Sequence, residues 1–414
     1  MSISGAIVEY NPFHYGHLYH LSQVKKISDY NIAIMSGHFL QRGEPALFNK
    51  WIRTRMALEA GVDIVLELPT IYSCQSAELF AFGAVNLLDQ LNIVDYLIFG
   101  SETNNIDDLY NISKVLAFEP QTYKDILKIQ LKEGHSFPKA RSNALKHFFS
   151  RHDSASLASL HVLKNPNDIL GIEYIKWLLR LKSPIQPITI QRIGSGYHSK
   201  NLSHGFASAT AIRDKILHSS SSFPDELKTY LPSSSSFIIR NSLKYFCPGQ
   251  LEALSKSIFT LLLRMDRSDL KNYLDINEGL QDRFYRLIHT NSIEKYIASI
   301  KTKRYTYTRI QRILCHILLD LKKDELQNYN DNGGAQYIRI LGFSKRGREI
   351  LPLLKKRSNL PIITNLSKSY SDLDNMQRRA IDYDILATNI YHAHFAKTSS
   401  FKNNMDYLTP PIIL

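Results

Sequence analysis

The chain has 414 residues and a mass of 47.6 kDa, a length that predicts two or three domains. Its residues are 44% hydrophobic and 21% charged, an ordinary globular composition that excludes disordered and fibrous classes of protein. Lysine and arginine total 51 against 38 for aspartate and glutamate, which gives a net charge of +13. A charge of this size makes an acidic partner worth considering.

The three cysteines, Cys74, Cys247 and Cys315, are far apart and odd in number. They exclude a disulfide framework and any CxxC zinc motif, and they are typical of a reducing cytoplasm. The first residues show no basic segment ahead of an apolar one, so no signal peptide is expected. No apolar run reaches about 18 residues, so we expect no membrane contact and a cytoplasmic location.

The first half of the chain alternates short apolar runs with helical patterns. Buried strands rich in β-branched residues are predicted at residues 4–10, 31–37, 63–69, 95–102 and 187–194. Helices are predicted at residues 17–27, 48–60, 76–91 and 208–217. Strands separated by helices form βαβ units, so we expect an α/β fold with a Rossmann-like, doubly wound parallel sheet. In such sheets, ligands bind at the carboxyl ends of the strands.

The second half begins with a polar segment and continues with helical patterns. Residues 218–236 are rich in serine and contain Pro224, so they predict a linker. Further helices are predicted at residues 250–263, 281–289, 292–300 and 308–321. We therefore expect an α/β domain over residues 1–217, a linker over 218–236 and an all-helical C-terminal domain over 237–414.

Most of the positive charge lies in one stretch of the second half. Residues 295–357 hold 15 basic and 5 acidic residues, a net charge of +10 out of the +13 of the chain. Basic side chains with aromatic residues between them are typical of a nucleic-acid surface. A solvated helix face explains the same composition equally well, so the composition alone leaves both interpretations open.

The turn after the first predicted strand, residues 11–17, reads Asn-Pro-Phe-His-Tyr-Gly-His. It leads into a helix whose N-terminus offers N–H groups and a positive dipole end to a phosphate. Gly16 allows the backbone to approach a ligand, and His14 and His17 can donate hydrogen bonds to phosphoryl oxygens. Together with His20 they also have the spacing of metal ligands. Because no acidic or cysteine partner stands nearby, no metal site is predicted. A purely structural role for the turn is disfavoured to the same degree as a metal site.

A second phosphate-binding pattern lies at the other end of the predicted α/β domain. Ser208 can cap the helix that follows it, Thr210 adds a hydroxyl donor, and Arg213 adds a cation. The HxGH turn and this S-x-T-x-I-R sequence resemble the two signatures of the nucleotidyltransferase superfamily. Proteins of that superfamily bind ATP on a Rossmann-like sheet and attack its α-phosphate.

Longer segments resemble a single family, the bacterial tRNA(Met) cytidine acetate ligases. In the first half these segments are residues 5–21, 36–58, 66–70, 75–84, 98–102, 165–174 and 190–199. In the second half the segment RYTYTRIQRIL, residues 304–314, is similar to the same family. The resemblance thus covers both halves of the chain.

This resemblance implies an ATP-dependent ligase with an RNA substrate. Members of the family form acetyl-adenylate and pyrophosphate from acetate and ATP. They then transfer the acetyl group to N4 of the wobble cytidine of elongator tRNA(Met), which becomes N4-acetylcytidine. The implied ligands are therefore ATP, acetate and this tRNA, together with Mg²⁺ held mainly by phosphates and water.

The resemblance also implies the ATP site. Catalytic roles are expected for His14, His17 and Arg213. The residues expected to bind ATP are Ile7, Glu9, Tyr10, Asn11, Pro12, Phe13, His14, Gly16, His17, His20, Gly100, Asn167, Arg192, Ser208, Thr210 and Arg213. Without the family, Gly100 favours an ordinary left-handed turn, Asn167 fits a helix cap equally well, and Arg192 fits a surface position.

The segment after the second strand is polar for its place at the expected ligand edge. We predict that Gln41, Arg42, Lys50 and Arg53 contact the pyrophosphate or the acetate carboxylate, with an exposed helix face as the alternative for Lys50 and Arg53. A further prediction concerns the small acetate pocket, which we assign to Ser36, Gly37 and His38.

The basic stretch is expected to hold the tRNA, with cations on phosphates and Tyr305 and Tyr307 stacked on bases. The residues expected to contact RNA are Lys301, Lys303, Arg304, Arg309, Arg312, Lys345, Arg346 and Arg348. For any one of them, a solvated surface position is an equal alternative.

Two other functions share parts of this pattern. A small-molecule adenylyltransferase has the HxGH turn and the S-x-T-x-I-R helix, but it does not need a second half with a basic stretch. A non-catalytic RNA-binding factor with a vestigial nucleotide site has the basic stretch, but the intact His14, Gly16, His17 and Arg213 argue against it.

Overall fold

The fold is described from a computed structural model, which covers residues 1–193, 207–219, 223–277 and 279–414. The end of the predicted strand at residue 194, the end of the family segment at residues 194–199, and residues 220–222 of the predicted linker lie outside the described residues.

The strands of the described residues form an eight-stranded sheet and one small hairpin. They are β1 (Ile3–Val8), β2 (Tyr30–Ser36), β3 (Phe39–Leu40), β4 (Glu44–Pro45), β5 (Ile64–Leu68), β6 (Tyr96–Ser101), β7 (Gln186–Gln191), β8 (Ile338–Phe343), β9 (Ile362–Ile363) and β10 (Ile412–Ile413). The order across the sheet is β10-β8-β5-β2-β1-β6-β7, with β9 on β8, and β3 pairs with β4 in the hairpin. The run from β5 to β7 is parallel, which confirms the predicted α/β class and Rossmann-like sheet.

Helices connect the strands and make up most of the second half. The α-helices are α1 (Tyr15–Ile27), α2 (Lys50–Glu59), α3 (Thr70–Ser73), α4 (Ala77–Gln90), α5 (Ile106–Phe118), α6 (Gln121–Lys132), α7 (Phe137–His152), α8 (Pro166–Leu181), α9 (Ala209–Leu217), α10 (Ser233–Ser242), α11 (Ser255–Arg264), α12 (Leu280–Arg286), α13 (Ile293–Ile300), α14 (Tyr307–Leu318), α15 (Lys323–Asp331), α16 (Lys345–Arg357), α17 (Leu366–Ser369), α18 (Asn375–Phe395) and α19 (Met405–Leu408). Short 3₁₀ helices lie at Ser154–Lys164, Asp225–Thr229, Leu251–Leu254, Asp269–Asn272, Tyr370–Asp372 and Thr398–Ser400. Within the described ranges, none of these helices is long and apolar enough to cross a bilayer.

The central strands are apolar because both faces of the sheet are covered. On β2, Ile32 and Ile34 belong to one apolar cluster, whereas the alternate residues Ala33 and Met35 belong to another. Successive side chains of a strand point to opposite faces, so the two clusters lie on the two sides of the sheet. On β1, Gly5 leaves room for Leu88 of α4, since a Cβ there would lie 2.5 Å from its Cδ2. The doubly wound arrangement thus follows from burial on both faces.

The second half is mainly helical but also contains three short strands, and to that extent the prediction of an all-helical second half is wrong. β8 pairs antiparallel with β5, and β9 and β10 pair parallel with β8. The strands of the second half therefore extend the sheet of the first half. In the segment expected to be a linker, Leu227 and Leu231 are fully buried and α10 begins at Ser233. The domain boundaries at 217 and 237 stay a prediction, and a shared sheet crosses them.

A buried cluster of charges fastens the two halves together. Lys50 Nζ of α2 lies 2.7 Å from Glu67 Oε1 of β5 and 2.7 Å from Asp406 Oδ1 of α19. Arg339 of β8 contacts the same two carboxylates, at 2.8 Å from Asp406 Oδ1 and 3.5 Å from Glu67 Oε2. All four side chains are buried. Two cations therefore balance two carboxylates at the junction between the halves.

Removing one cation of this cluster should destabilise the whole fold. We expect Lys50→Met to lower the free energy of unfolding by about 3–5 kcal/mol, because it leaves two buried carboxylates with a single cation. Urea unfolding followed by circular dichroism measures the change, and Lys355→Met on the exposed face of α16 is the matched control. A loss below about 1 kcal/mol for Lys50→Met would show that the cluster does not hold the halves together.

Candidate active site

A cavity of about 240 Å³ opens at the carboxyl ends of β1, β6 and β7. Of the residues predicted to bind ATP, those lining it are Ile7, Glu9, Tyr10, Asn11, His14, Gly16, His17, His20, Gly100, Asn167, Arg192, Ser208, Thr210 and Arg213. Pro12 and Phe13 do not line it, and both are buried in the interior. The cavity therefore brings together residues from distant parts of the chain.

Several cavity residues were not singled out from the sequence. They include the apolar side chains Val8, Phe80, Ile98, Phe99, Leu170 and Tyr174. Phe80 lies on α4, and Leu170 and Tyr174 lie on α8, where their helical spacing resembles that of ordinary core positions. The family segments 75–84 and 165–174 contain all three, so membership of those segments was the available signal.

The turn between β1 and α1 stacks two imidazoles at the N-terminus of the helix. His14 is the N-cap of α1, and its Nδ1 accepts a hydrogen bond from the Gly16 amide at 3.0 Å. The Nδ1 of His17 accepts one from the His14 amide at 3.3 Å. The two rings stack with centroids 3.8 Å apart. Since both Nδ1 atoms accept, the proton of each neutral ring is on Nε2, which makes each Nε2 a donor.

Gly16 is required by this stack. A Cβ at residue 16 would lie 2.8 Å from Cε1 and 3.0 Å from Nδ1 of His14. Real side chains do not come that close, so any other residue would push the His14 ring out of place. The glycine of the HxGH turn therefore leaves the space that the ring of the first histidine occupies.

The histidines of the cavity are neutral at physiological pH. Burial lowers the pKa of His14 to about 3, with a further contribution from the positive charges of Arg192 and Arg213. The pKa of His17 is also well below its usual value, first because of burial and then because of His14. Burial and the nearby Arg192 lower the pKa of His20 to about 4. Neutral rings donate hydrogen bonds to a phosphate through Nε2–H and do not change their charge near neutral pH.

The start of α9 brings a cation to the same turn. Ser208 caps the helix, since its Oγ accepts a hydrogen bond from the Ala211 amide at 3.1 Å. Arg213 donates to the carbonyl oxygen of Asn11 at 3.1 Å and to Oγ1 of Thr210 at 3.2 Å. The guanidinium is thus held beside the histidine turn.

A second basic wall forms where β6 and β7 end. Arg192 Nη1 lies 3.4 Å from Oδ1 of Asn167, whose Nδ2 donates to Glu102 Oε1 at 2.6 Å. Gly100 lies within β6, and a Cβ there would lie 3.2 Å from Cγ of Arg192. The alternatives of a left-handed turn at Gly100 and a helix cap at Asn167 are therefore wrong. The N-cap of α8 is Asn165.

The polar segment after β2 divides into cavity residues and buried residues. Gln41 and Arg42 line the cavity, and their contact with pyrophosphate or acetate stays a prediction. Lys50 belongs to the buried charge cluster, and Arg53 donates to the carbonyl oxygens of Phe48, Glu9 and Gly37. Both side chains are fully buried, so the prediction that they contact substrate is wrong.

The predicted acetate pocket is not part of the cavity either. Ser36 and His38 are buried, and neither they nor Gly37 line the cavity. His38 packs instead against Tyr391, with ring centroids 4.7 Å apart, and Thr388 lies 3.2 Å from its Nδ1. His38 therefore packs against α18 instead of forming a substrate pocket.

The residues predicted to contact RNA lie on two different edges of the molecule. Lys301, Lys303 and Arg304 are exposed in the connection between α13 and α14. The middle of α14 packs against the loop that holds Gln41 and Arg42, since a Cβ at Gly43 would lie 2.4 Å from the Arg312 amide nitrogen. Arg309 and Arg312 are half-buried beside Asp275, at 3.9 Å and 3.8 Å.

The remaining cations lie at the opposite edge of the sheet. Because β8 runs antiparallel to β5, α16 starts beside the amino ends of the parallel strands. The Ser344 amide donates to the Asp63 carbonyl at 2.9 Å, and Arg346 donates to the Asp29 carbonyl. A strand of six residues spans about 20 Å, which separates Lys345, Arg346 and Arg348 from the cavity. Of the two tyrosines, Tyr305 is buried and Tyr307 is half-buried, so Tyr305 does not offer a face to a base.

Comparisons with known proteins point to one family. Over residues 1–406 the chain matches the family described as HIGH nucleotidyl transferase. The tRNA(Met) cytidine acetate ligase of Alkaliphilus metalliredigens is 43% identical over 420 residues, covering 99% of this chain and 98% of the relative. The enzyme of that name from Clostridium perfringens is 43% identical over 421 residues and all of both chains.

Solved structures agree with the sequence matches. Apo Thermotoga maritima TmcAL superposes with a TM-score of 0.95 at 37% identity, covering all of both chains. The same protein bound with alpha-thio ATP superposes with a TM-score of 0.92 over the same coverage. The similarity extends over the parallel sheet, the cavity and the basic second half, and the chain belongs to the tRNA(Met) cytidine acetate ligase family of HIGH nucleotidyl transferases.

Proposed function

We propose that the protein activates acetate with ATP and transfers the acetyl group to N4 of the wobble cytidine of elongator tRNA(Met). The observation that carries this proposal is the set of fixed donors around the cavity. Two neutral imidazoles with protonated Nε2 atoms, the N-terminus of α1 and Arg213 face one end of it. That set suits the phosphates of ATP, whereas the apolar side chains suit its base.

In the first step, an acetate oxygen attacks the α-phosphorus and pyrophosphate leaves. The Nε2–H groups of His14 and His17 donate to the α-phosphate oxygens, whose charge grows as the bond to pyrophosphate breaks. Arg213, Ser208 and Thr210 hold the leaving phosphates at the start of α9. The products, acetyl-adenylate and pyrophosphate, account for all atoms of acetate and ATP.

Magnesium fits this site as a partner of the phosphates rather than of the protein. The described residues contain no group of three or more histidine, cysteine, aspartate or glutamate side chains arranged to hold a metal ion. Mg²⁺ prefers oxygen ligands and keeps much of its water, so the oxygens of ATP are its expected ligands. It would supply charge neutralisation on the phosphates.

In the second step, cytidine N4 attacks the acetyl carbonyl of acetyl-adenylate and AMP leaves. An anticodon base is already in a single-stranded loop, so bringing it into the cavity costs little unstacking. We propose that the RNA approaches from the side of α14, where Lys301, Lys303 and Arg304 are exposed. The proximity of α14 to the loop at Gly43 supports this direction.

The proposal is tested by product analysis. Purified protein, ATP, Mg²⁺ and labelled acetate are incubated with unmodified elongator tRNA(Met), which is then digested and analysed for N4-acetylcytidine. We expect label only at the wobble cytidine, only with ATP, and reduced at least a hundred-fold by His17→Ala, which removes a donor to the developing charge. Transfer of AMP to a small phosphate ester without acetate would support a small-molecule adenylyltransferase instead. ATP binding without turnover would support a non-catalytic factor.

The neutral state of His14 has a measurable effect on stability. The unfolded chain binds a proton at this residue below about pH 6.5, whereas the folded chain does not until its pKa of about 3. Stability should therefore fall as pH drops through this window, by up to about 1.4 kcal/mol per pH unit from His14 alone. His14→Asn keeps a good N-cap without the titration, so its unfolding free energy should depend less steeply on pH by that amount. Equal slopes for both proteins would contradict the neutral assignment.

The two basic edges give a matched test of the RNA surface. We expect Lys301→Gln with Lys303→Gln to weaken tRNA binding at least ten-fold. The slope of the logarithm of the binding constant against the logarithm of the salt concentration should become shallower by about two. Lys345→Gln with Arg348→Gln removes the same charge from the opposite edge and should weaken binding less than three-fold. Filter binding at several salt concentrations measures both. Equal losses would mean that the RNA contacts both edges.

A further inference from the structure

The cavity contains one acidic side chain among the described residues that line it, Glu9. It follows β1 directly and shares the cavity with Arg42, Arg192 and Arg213. ATP and acetate are both anions, and a carboxylate repels both. Its presence in a site built for anions therefore calls for a chemical reason.

Glu9 is held in place by two hydrogen bonds, one to its side chain and one to its backbone. Its Oε1 accepts a hydrogen bond from the Gln41 amide at 2.9 Å. Its own carbonyl oxygen accepts from Arg53 Nη1 at 2.7 Å, and the same guanidinium bonds the Gly37 carbonyl. Within the described parts of the chain, Oε2 makes no hydrogen bond, and Glu9 lines the cavity. One carboxylate oxygen is thus fixed and the other is available to the cavity.

The position of Glu9 favours the RNA side of the cavity. β1 lies between β2 and β6 in the sheet, and the wall of Gly100, Asn167 and Arg192 is on the β6 and β7 side. Glu9 is instead tied to Gln41, in the loop whose Gly43 abuts α14. A base entering from the side of α14 would meet Glu9 and Gln41 before the wall on the β6 and β7 side.

The second step of the proposed reaction releases a proton that some group must accept. Attack by the N4 amine on the acetyl carbonyl forms a C–N bond and breaks the C–O bond to AMP. The AMP phosphate leaves as an anion and needs no proton, so the proton from N4 is left over. A positioned base near the amine is the usual solution.

The histidines of the cavity are poorly suited to this task. The Nδ1 atoms of His14 and His17 already accept backbone hydrogen bonds, and their Nε2 atoms carry protons. The Nε2 of His20 is buried without a partner and out of reach of solvent. Burial raises the pKa of Glu9, as does the nearby Glu44, while the Gln41 amide and two arginines oppose the rise. A carboxylate with a raised pKa is a stronger base than one in water.

We propose that Glu9 is the general base of acetyl transfer and that its Oε2 accepts the proton from cytidine N4 as the amide bond forms. The proton then passes to solvent when the acetylated base leaves. This inference rests on the function proposed above and assigns Glu9 to the second step. The first step requires no proton transfer and depends on the imidazole donors and Arg213.

The test separates the two steps. Single-turnover transfer is measured with chemically made acetyl-adenylate and unmodified tRNA(Met), and adenylation is measured as acetate-dependent exchange of pyrophosphate into ATP. Glu9→Gln keeps the shape and the acceptor for the Gln41 amide. It should lower transfer at least thirty-fold more than it lowers exchange. The wild-type transfer rate should rise with pH and level off, and Glu9→Gln should lose that rise. Glu9→Asp should keep the rise at a lower rate.

Two results would overturn the inference. Equal losses of exchange and transfer in Glu9→Gln would place Glu9 in ATP or Mg²⁺ binding, and transfer at the wild-type rate would remove it from the chemistry. If Glu9→Gln does not fold, a Glu9→Asp profile without the rise would also contradict the inference. Failure of the proposed function looks different, since the wild-type protein itself would then make no N4-acetylcytidine.

Discussion

Two buried cations of α2, Lys50 and Arg53, hold the chain in place at the carboxyl ends of the sheet strands. Lys50 joins β5 to α19 through Glu67 and Asp406, and Arg53 bonds the backbone carbonyls that follow β1 and β2. A buried charge without its partner costs several kcal/mol, so this arrangement admits few alternatives. Because Arg53 bonds the carbonyl of Glu9, the cations that hold the fold also fix a wall of the cavity. Stability and site geometry therefore depend on the same helix.

The cavity contains groups for two kinds of chemistry. Neutral imidazole donors and Arg213 surround the proposed place for phosphates, and burial keeps both imidazoles uncharged near neutral pH. Glu9 presents a carboxylate beside Gln41, in the loop that packs against α14. Charge stabilisation uses the hydrogen-bond donors, and proton acceptance uses the one carboxylate among the described lining residues. One site can thus run adenylation and acyl transfer in sequence.

The sequence predicted what is local and missed what depends on distant partners. The strand, HxGH turn and helix are contiguous, so residue types and spacing sufficed to place His14, His17 and the edge of the sheet. Lys50 and Arg53 looked like substrate contacts because a sequence shows a charge without its partner. Asp406 lies 356 residues from Lys50, and no spacing connects them. β8 was missed for the same reason, since its antiparallel partner β5 lies in the other half of the chain.

The central claim is that this cavity activates acetate by itself, before any RNA is bound. The most direct measurement is exchange of labelled pyrophosphate into ATP with Mg²⁺ and no tRNA, with and without acetate. The account predicts exchange that requires acetate and disappears in Arg213→Met, because the leaving phosphates lose their cation. Exchange that ignores acetate, or appears only when tRNA is added, would contradict it.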